Sequence, residues 1–393
     1  MNVLRGRWTP EDREAELNRL VDVEVPGDAA GLSVTLAYDR STGAVIDLGA
    51  WGPGGFRGWS GSDKEGFAIG PDVATPSYLP GPVAGEWRIL HGLHRVPREG
   101  VEWEMRIGFG PADVPPMPPP PPLPERPPRR ELPAEPGRRW LAGDLHAHTV
   151  HSDGILTVHG LACLARERGL DFIAVTDHNT TSHHPELPAA SAYADTILIP
   201  GFEITTDRGH SNCFGADRFI DFRNPPDQWL ADAEAAGALL SLNHPLAGDT
   251  RWRLPMDGRP PLLEVWHSTW DRRGPEPLDW WREWAAGIPI GGSDFHLPGH
   301  GGLPGAPTTW VEVEGDDVLG GVRAGRTAIS YDPQGPVIVR NDGELVVVDG
   351  DGTWLVGPDG DRRRVTGDRV RIPGDAGPWL LVDDDRTALA LTL

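Results

Sequence analysis

Gly143-Asp-Leu-His-Ala-His-Thr-Val-His-Ser-Asp-Gly154 is the stretch from which the rest of the chain is read. It predicts a buried strand that delivers His146 and His148 and then breaks into a turn carrying Asp153. Alternate residues of a strand share a face, so the two imidazoles point the same way and can grip one ion.

Outward from this strand, from Trp140 onward, strand-like and helix-like runs alternate. Strands are expected at 140–146, 171–177, 196–204, 209–215, 238–243, 262–267 and 288–293, and helices at 157–168, 225–236 and 277–286. Phe172-Ile-Ala-Val and Ala238-Leu-Leu-Ser-Leu are nearly continuous apolar runs, as expected where both faces of a parallel strand are covered. Repeated βα units close into a barrel or an open doubly wound sheet, and the carboxyl ends of their strands share one face, where sites form. No internal repeat is found.

Of the 14 histidines, all but His91 and His94 fall between His146 and His300. The residues able to hold metal sit where predicted strands end. His178 follows Ile173-Ala-Val-Thr-Asp, Glu203 closes Ile197-Leu-Ile-Pro-Gly-Phe-Glu, and His210 opens His-Ser-Asn-Cys-Phe. His244 follows Leu240-Ser-Leu-Asn, and Asp294 and His296 follow Ile288-Pro-Ile-Gly-Gly-Ser. With His146, His148 and Asp153 these make a set of imidazoles and carboxylates suited to two or three cations in mixed N/O coordination. Each signal alone has an ordinary alternative: a fortuitous His-x-His, a surface Asp177-His178 dyad, a turn at Asn243-His244-Pro245, a loop after Gly291-Gly292. Together the alternatives would have to coincide at one topological position, which favours a metal site.

Composition narrows the function classes. The formal charge of -22 over 393 residues argues against nucleic acid or an anionic membrane surface as main partner. No apolar run approaches a bilayer span, and Met1 to Leu20 does not read as a signal peptide. Cys163 and Cys213 read as free thiols in a reducing cytoplasm, with Cys213 in the core. Lys64 is the only lysine, which removes a P-loop or Schiff-base site unless Lys64 itself is recruited. No Ser-His-Asp arrangement with nucleophile-elbow glycines is present.

Around the α/β core lie other regions. Residues 1–110 form an expected N-terminal β-module resembling a sandwich, with Trp51 and Trp59 read as packing before sugar or ligand contact. Residues 111–138 are a proline-rich linker, expected as a stiff polyproline II spacer. The α/β domain carrying the candidate metal ligands is expected at 139–332. Residues 333–393 are a β-rich C-terminal segment with turns at Asp351-Gly352 and Asp359-Gly360; it forms a small domain of its own or completes the N-terminal sandwich.

His146-Ala-His148-Thr-Val-His-Ser-Asp153-Gly, Thr176-Asp-His178, Gly201-Phe-Glu203, His210, His244-Pro245 and Gly291-Gly-Ser-Asp294-Phe-His296 resemble, as an ordered set over about residues 140 to 330, the motifs of the PHP (polymerase and histidinol phosphatase) superfamily. The front β-section and the short spacing from Glu203 to His210 resemble its carbaryl-hydrolase-like branch. The resemblance implies a distorted seven-stranded β/α barrel with two or three divalent metals (zinc, manganese or iron). It also implies hydrolysis of phosphomonoesters or phosphodiesters, or of esters and carbamates in the named branch. His146, His148 and Asp294 would hold the first metal, with Glu203 bridging to a second completed by His210 and His244. Asp153, His178 and His296 would hold a third, with His151 a competitor to Asp153. A metal-bridged hydroxide would then attack, with metal-bound water, His244 or His296 assisting the leaving group, and Asp177 orienting an imidazole.

Arg208 and His300 are candidate substrate contacts, each with a solvated-loop alternative. His183 and His184 read as surface. His267 with Trp266 and Trp270 either lines an apolar substrate pocket or packs a helix on the sheet. The expectation is a cytoplasmic, metal-dependent hydrolase acting on a small-molecule phosphoester. A carboxylic ester, carbamate or amide hydrolase with the same centre is the second reading. A non-catalytic ligand- or glycan-binding protein is the alternative of another class. The oligomeric state is open.

Overall fold

The computed structural model describes residues 2–270, 276–284, 287–299, 301–374 and 377–392. Its chain forms two compact units. The first comprises Met1–Pro119 together with Thr149–Thr157 and Asp177–Pro185; the second comprises Pro120–His148, Val158–Thr176 and Glu186–Leu393.

In the first unit, alternating sequences become two four-stranded antiparallel sheets. Leu32–Tyr38 buries every second residue, as does Val101–Gly108, so each strand offers one apolar face. Val34, Leu36, Ile46, Trp87, Ile89 and Met105 meet in one core. The first strand of the module, Asn2–Trp8, pairs antiparallel with Val101–Gly108. Its half-buried residues Leu4 and Trp8 share one face and pack on the core, with Trp8 stacked on Trp103. Trp51 is buried against Phe56, the packing role expected of it. The Asp177–Pro185 segment is tied to this module through Ser77, whose N–H donates to Ser182 Oγ (3.1 Å) and whose carbonyl accepts from Thr180 Oγ1 (2.8 Å).

In the second unit the seven expected strands are present as Arg139–Asp144, Phe172–Val175, Ile197–Thr206, Gly209–Phe214, Leu239–Leu242, Leu262–His267 and Ile288–Gly292, hydrogen-bonded in that order. Helices Val158–Glu167, Pro226–Ala235 and Glu276–Trp284 occupy the predicted places; the expected end of the last, at 285–286, lies outside the described residues. Two further helices, Leu187–Ala194 and Val318–Arg323, were not anticipated.

The sheet departs from a run of parallel βα units at one place. Gly209–Phe214 is antiparallel to both of its neighbours. Only Asp207 and Arg208 separate it from Ile197–Thr206, and a parallel crossover needs a dozen or more residues. Nor is the ladder closed into a seven-stranded barrel, because Arg139–Asp144 goes on to pair antiparallel with Thr308–Val313. The two ends of the seven strands are joined beyond the ladder by one parallel bridge, Ala147 to Phe295. His148 N–H donates to Phe295 O and Asp294 N–H to His146 O, both at 2.9 Å.

The proline-rich segment is not a free spacer. From Pro120 it lies along the second unit as a strap. Arg126 donates to Leu170 O (2.8 Å), Arg129 to Asp171 Oδ1 (2.7 Å) and Arg130 to Asp349 Oδ2 (2.6 Å). The C-terminal strands continue the sheet of the second unit through Thr327–Ser330, Ala388–Thr392 and Trp379–Val382. Asp359-Gly360 is a hairpin turn as expected, but Asp351-Gly352 joins strands that do not pair. Asp342-Gly343, with φ 54 and 75, makes the hairpin instead, in the left-handed backbone that a two-residue turn requires.

Asp144 holds the ends of this sheet together. Its fully buried carboxylate accepts N–H bonds from His146 and Ser293 at Oδ1 (both 3.0 Å) and from Gly305 at Oδ2 (2.8 Å). Asp144→Ala would leave three donors unpaired in the interior, a cost of about 3 kcal/mol or more. The expected result is a clearly lowered urea midpoint, whereas Asp→Ala at exposed Asp279 should change it little.

Candidate metal centre

His146 and His148 lie just past the end of the Arg139–Asp144 strand, both fully buried. Leu145 faces the opposite way, into the core beneath the sheet, so strand alternation persists after the ladder stops. His146 Nε2 lies 3.1 Å from Asp294 Oδ1 and 3.3 Å from Glu203 Oε1. His148 Nε2 lies 3.0 Å from Asp294 Oδ1 and 3.8 Å from Glu203 Oε2. Glu203, also fully buried, sits at the middle of the group. Its Oε1 accepts from Asn243 Nδ2 (2.8 Å) and lies 3.2 Å from His210 Nδ1 and 3.3 Å from His244 Nε2. His296 stacks on His148 with ring centroids 4.2 Å apart, and its Nδ1 bonds the Asp294 carbonyl at 2.8 Å.

Two of these donors stand on unusual backbone. His244 has φ 23 and Asp294 φ 52, a region that side chains with a Cβ disfavour and that functional sites tolerate. Tertiary bonds hold both: the His244 N–H donates to Glu264 Oε2 (2.7 Å), and the Asp294 N–H to the His146 carbonyl.

Glu264 and His267 belong to the cluster although the motif reading passed over the first and left the second open. Glu264 Oε1 takes His146 Nδ1 at 3.0 Å, which fixes that ring and turns its other nitrogen toward Glu203 and Asp294. His267 Nε2 lies 3.2 Å from Asp294 Oδ2 and its Nδ1 bonds Thr269 Oγ1 (2.9 Å). The available signal was a lone carboxylate in the otherwise apolar run Leu262-Leu-Glu-Val-Trp, where every residue is buried. Burial opposes the charge on Glu264, but His146, His267 and His244 bring its carboxyl below the usual range. Burial likewise opposes charge on Asp294, yet His146, His148 and His267 hold that carboxyl well below it.

His146 Nε2 is the telling atom. It is fully buried and makes no well-aligned hydrogen bond, yet the carboxylates of Asp294 and Glu203 stand 3.1 and 3.3 Å from it. Donor atoms of His146, His148 and Glu203 lie within 4.8 Å of one another, as do those of His146, His244 and Asp294, and those of His146, Glu264 and His267. Buried imidazoles and carboxylates converging at these distances fit a divalent cation such as zinc or manganese.

The remaining candidates divide as follows. Asp153 and His178 lie in the first unit, with Asp153 Oδ1 3.5 Å from His178 Nε2. There the ring of Trp59 meets His178 edge-on at 6.4 Å, and Lys64 Nζ donates to the Ser152 carbonyl at 2.7 Å. Asp177 organises the turn before Asp153, accepting from Thr149 N–H (2.8 Å), Thr149 Oγ1 (2.7 Å) and Ser152 Oγ (2.6 Å). His151 bonds Ser182 Oγ at 2.7 Å. His183 is not a surface residue: it is fully buried, 3.2 Å from Asp177 Oδ2, while His184 is half-buried. Arg208 is exposed on the two-residue turn, its guanidinium donating to the Arg253 carbonyl. His300 lies outside the described residues. Trp270 lines a cavity beside His244 and His267, whereas Trp266 packs edge-on behind it. Cys213 is a core thiol, which burial pushes up to about 12.

No protein-family profile matches the chain. A stretch of 65 residues is 42% identical to the 5'-3' exoribonuclease Rnm of Salmonella typhimurium, covering 16% of this chain. The chain spans 22% of the length of that curated relative. Among solved structures, it is similar to a two-domain protein from Bacteroides vulgatus containing a predicted PHP-like metal-dependent phosphoesterase. That likeness has 20% identity and TM-score 0.44 over 67% of this chain and 98% of the other. A second, inferred to be a metal-dependent phosphoesterase, comes from Bifidobacterium adolescentis. It has 20% identity and TM-score 0.37 over 46% of this chain and 95% of the other. At these TM-scores the structural likenesses carry no functional argument. No helix among the described residues is long and apolar enough to cross a membrane.

Gly292 tests the packing behind the cluster. A Cβ there would lie 2.3 Å from Glu264 Oε1 and 2.5 Å from His146 Cβ. Gly292→Ala should therefore lower stability by about 1–3 kcal/mol and shift the His146 ring resonances.

With chelator present, stability should fall at both ends of the pH scale. His146, which burial disfavours charging but which Asp294, Glu264 and Glu203 hold well above 6.5, contributes fully below 6.5. Its contribution is lost as pH rises through the raised value. Asp294 contributes above 3.8 and loses its contribution as pH falls through its depressed value. Urea midpoints against pH check both limbs.

Proposed function

We propose that the chain is a metal-dependent hydrolase, with phosphoesters as its first substrate class. The observation that carries this is the buried convergence of His146 Nε2 and His148 Nε2 on the carboxylates of Glu203 and Asp294. In this reading His146, His148 and Asp294 hold one cation, and His210 and His244 hold a second with Glu203 shared between them. The Asp153–His178 pair is available to a further cation. Divalent ions such as zinc, manganese or iron would supply Lewis acidity and a water acidified toward neutral pH.

The chain's own groups do the rest. Glu264 locks the His146 tautomer by taking its Nδ1, and by accepting the His244 N–H it sets the angle at which that ring enters. Asn243 orients the Glu203 carboxylate. The burial of these groups keeps bulk water away and strengthens each interaction with developing charge. Net hydrolysis adds water across the ester. Its oxygen goes to phosphorus or to the acyl carbon, and a proton goes to the departing oxygen.

The local similarity to an exoribonuclease supports phosphodiester chemistry, but the net charge of -22 disfavours a polynucleotide and favours a small molecule. The second reading, a carboxylic ester, carbamate or amide, is favoured by one observation: the cavity beside His244 and His267 is mostly apolar.

The test is elemental analysis of the purified protein beside chromogenic phosphomonoester, phosphodiester and carboxyl-ester substrates. Bound transition metal and turnover are expected. His146→Ala and Glu203→Gln should each reduce metal content and lower turnover on the order of 100-fold or more, as loss of groups that hold or orient a metal does. Full activity after metal removal would refute the reading.

A further inference from the structure

We infer that Lys64 is a positioning residue: its ammonium fixes the turn that presents Asp153 to a cation. The inference rests on the hydrolase reading above, in which the Asp153–His178 pair takes a further cation, and it gives the front module a part in binding that ion. Lys64 stands in the turn between strands Gly55–Gly61 and Gly66–Ile69, and its side chain is 19% exposed. Its Nζ donates to the Ser152 carbonyl at 2.7 Å and to Asp63 Oδ2 at 3.3 Å. The turn is also held from the later segments: Ser152 N–H and Gly154 N–H donate to the Thr149 carbonyl at 3.0 Å, and Ser152 Oγ to Asp177 Oδ1 at 2.6 Å. Since a peptide unit is planar, holding the Ser152 carbonyl sets the plane of the bond into Asp153 and narrows the directions its side chain can take.

The Asp153 side chain is 41% exposed, with Oδ1 3.5 Å from His178 Nε2, and an exposed carboxylate loses rotamer freedom when it takes a cation. A carboxylate already directed loses less, which is how a residue that touches no metal raises metal affinity. His178 is directed from the same module. Trp59 meets its ring edge-on at 6.4 Å, and the Trp59 ring lies so close over Gly61 that a Cβ there would be 2.8 Å from it. Beyond His178, Ser77 on backbone with φ 92 accepts from Thr180 Oγ1 and gives its N–H to Ser182 Oγ. The pair and the residues that hold it belong to one compact unit. Asp63 offsets the charge of Lys64, so Lys64 contributes its bond to Ser152 and not a field; an ammonium acting through its charge would weaken cation binding.

The test titrates the full-length, metal-stripped protein with Mn²⁺ by calorimetry, beside turnover of chromogenic phosphoesters and carboxyl esters. Lys64→Met, which keeps the side-chain length and loses the donor, is expected to weaken the binding of one Mn²⁺ about tenfold or more. In an Asp153→Asn background the same change should make no further difference. Lys64→Cys alkylated with 2-bromoethylamine regains a terminal ammonium and should regain the affinity; Cys163 and Cys213 are buried, which directs the reagent to the new thiol. A merely structural role would lower the urea midpoint of Lys64→Met and leave its Mn²⁺ affinity unmoved. Unchanged or tighter Mn²⁺ binding in Lys64→Met, an equal loss in the Asp153→Asn background, or a loss that aminoethylation does not repair overturns the inference. Mn²⁺ binding without turnover of any ester retires the hydrolase reading, and the Lys64 comparison still decides the positioning role. A wild-type protein that binds no Mn²⁺ overturns both.

Discussion

The carboxylate of Asp144 is the constraint on which the second unit depends. It closes three backbone N–H groups, from His146, Ser293 and Gly305, that belong to the start of the seven-stranded run, its end, and a later loop. Burial pushes this carboxyl upward, and the bonds from Ser293, Gly305 and His146 counter that effect. A carboxylate is suited to the task because it accepts several donors at once where a neutral side chain would leave some unpaired. Its consequence is positional: with His146 and Ser293 fixed to one oxygen, the His-x-His pair and Asp294 cannot drift apart.

The same region concentrates features that stability alone would not favour. Glu203, Glu264, His146 and His148 are withdrawn from water, and His244 and Asp294 occupy the left-handed backbone region. Each costs folding free energy. A fold violates local rules in this way where a site is being held, and the violations here share a single location. The polar interior is nonetheless ordered, since Glu264 spans two histidines and Asn243 pins Glu203.

The N-terminal module contributes to loops that follow the proline-rich segment in the chain. Lys64, the sole lysine, reaches the carbonyl before Asp153, and Trp59 meets the ring of His178. Ser77, on backbone with φ 92, exchanges bonds with Thr180 and Ser182. The Asp153 turn and the His178 loop are thus built into the same compact unit as the sandwich. The proline-rich segment that follows is a strap because its arginines find Leu170, Asp171 and Asp349, contacts that polyproline composition does not reveal.

The sequence by itself determined the alternating strands and helices of the α/β region, the sandwich-like front module, and the positions at which His146, His148, Glu203, His210, His244, Asp294 and His296 would gather. Hydrophobic periodicity and the placement of polar residues at strand ends are local signals, and they were legible for that reason. Only the tertiary structure decided that the ladder stays open, because Arg139–Asp144 has a second partner in Thr308–Val313 far along the chain. It alone showed Glu264 and His267 as members of the cluster, Asp144 as the carboxylate beneath it and His183 as buried, since burial and hydrogen-bond partnership arise between residues distant in sequence. The Asn2–Trp8 edge strand was hidden because only Leu4 and Trp8 mark its inward face, too few apolar positions to read as alternation.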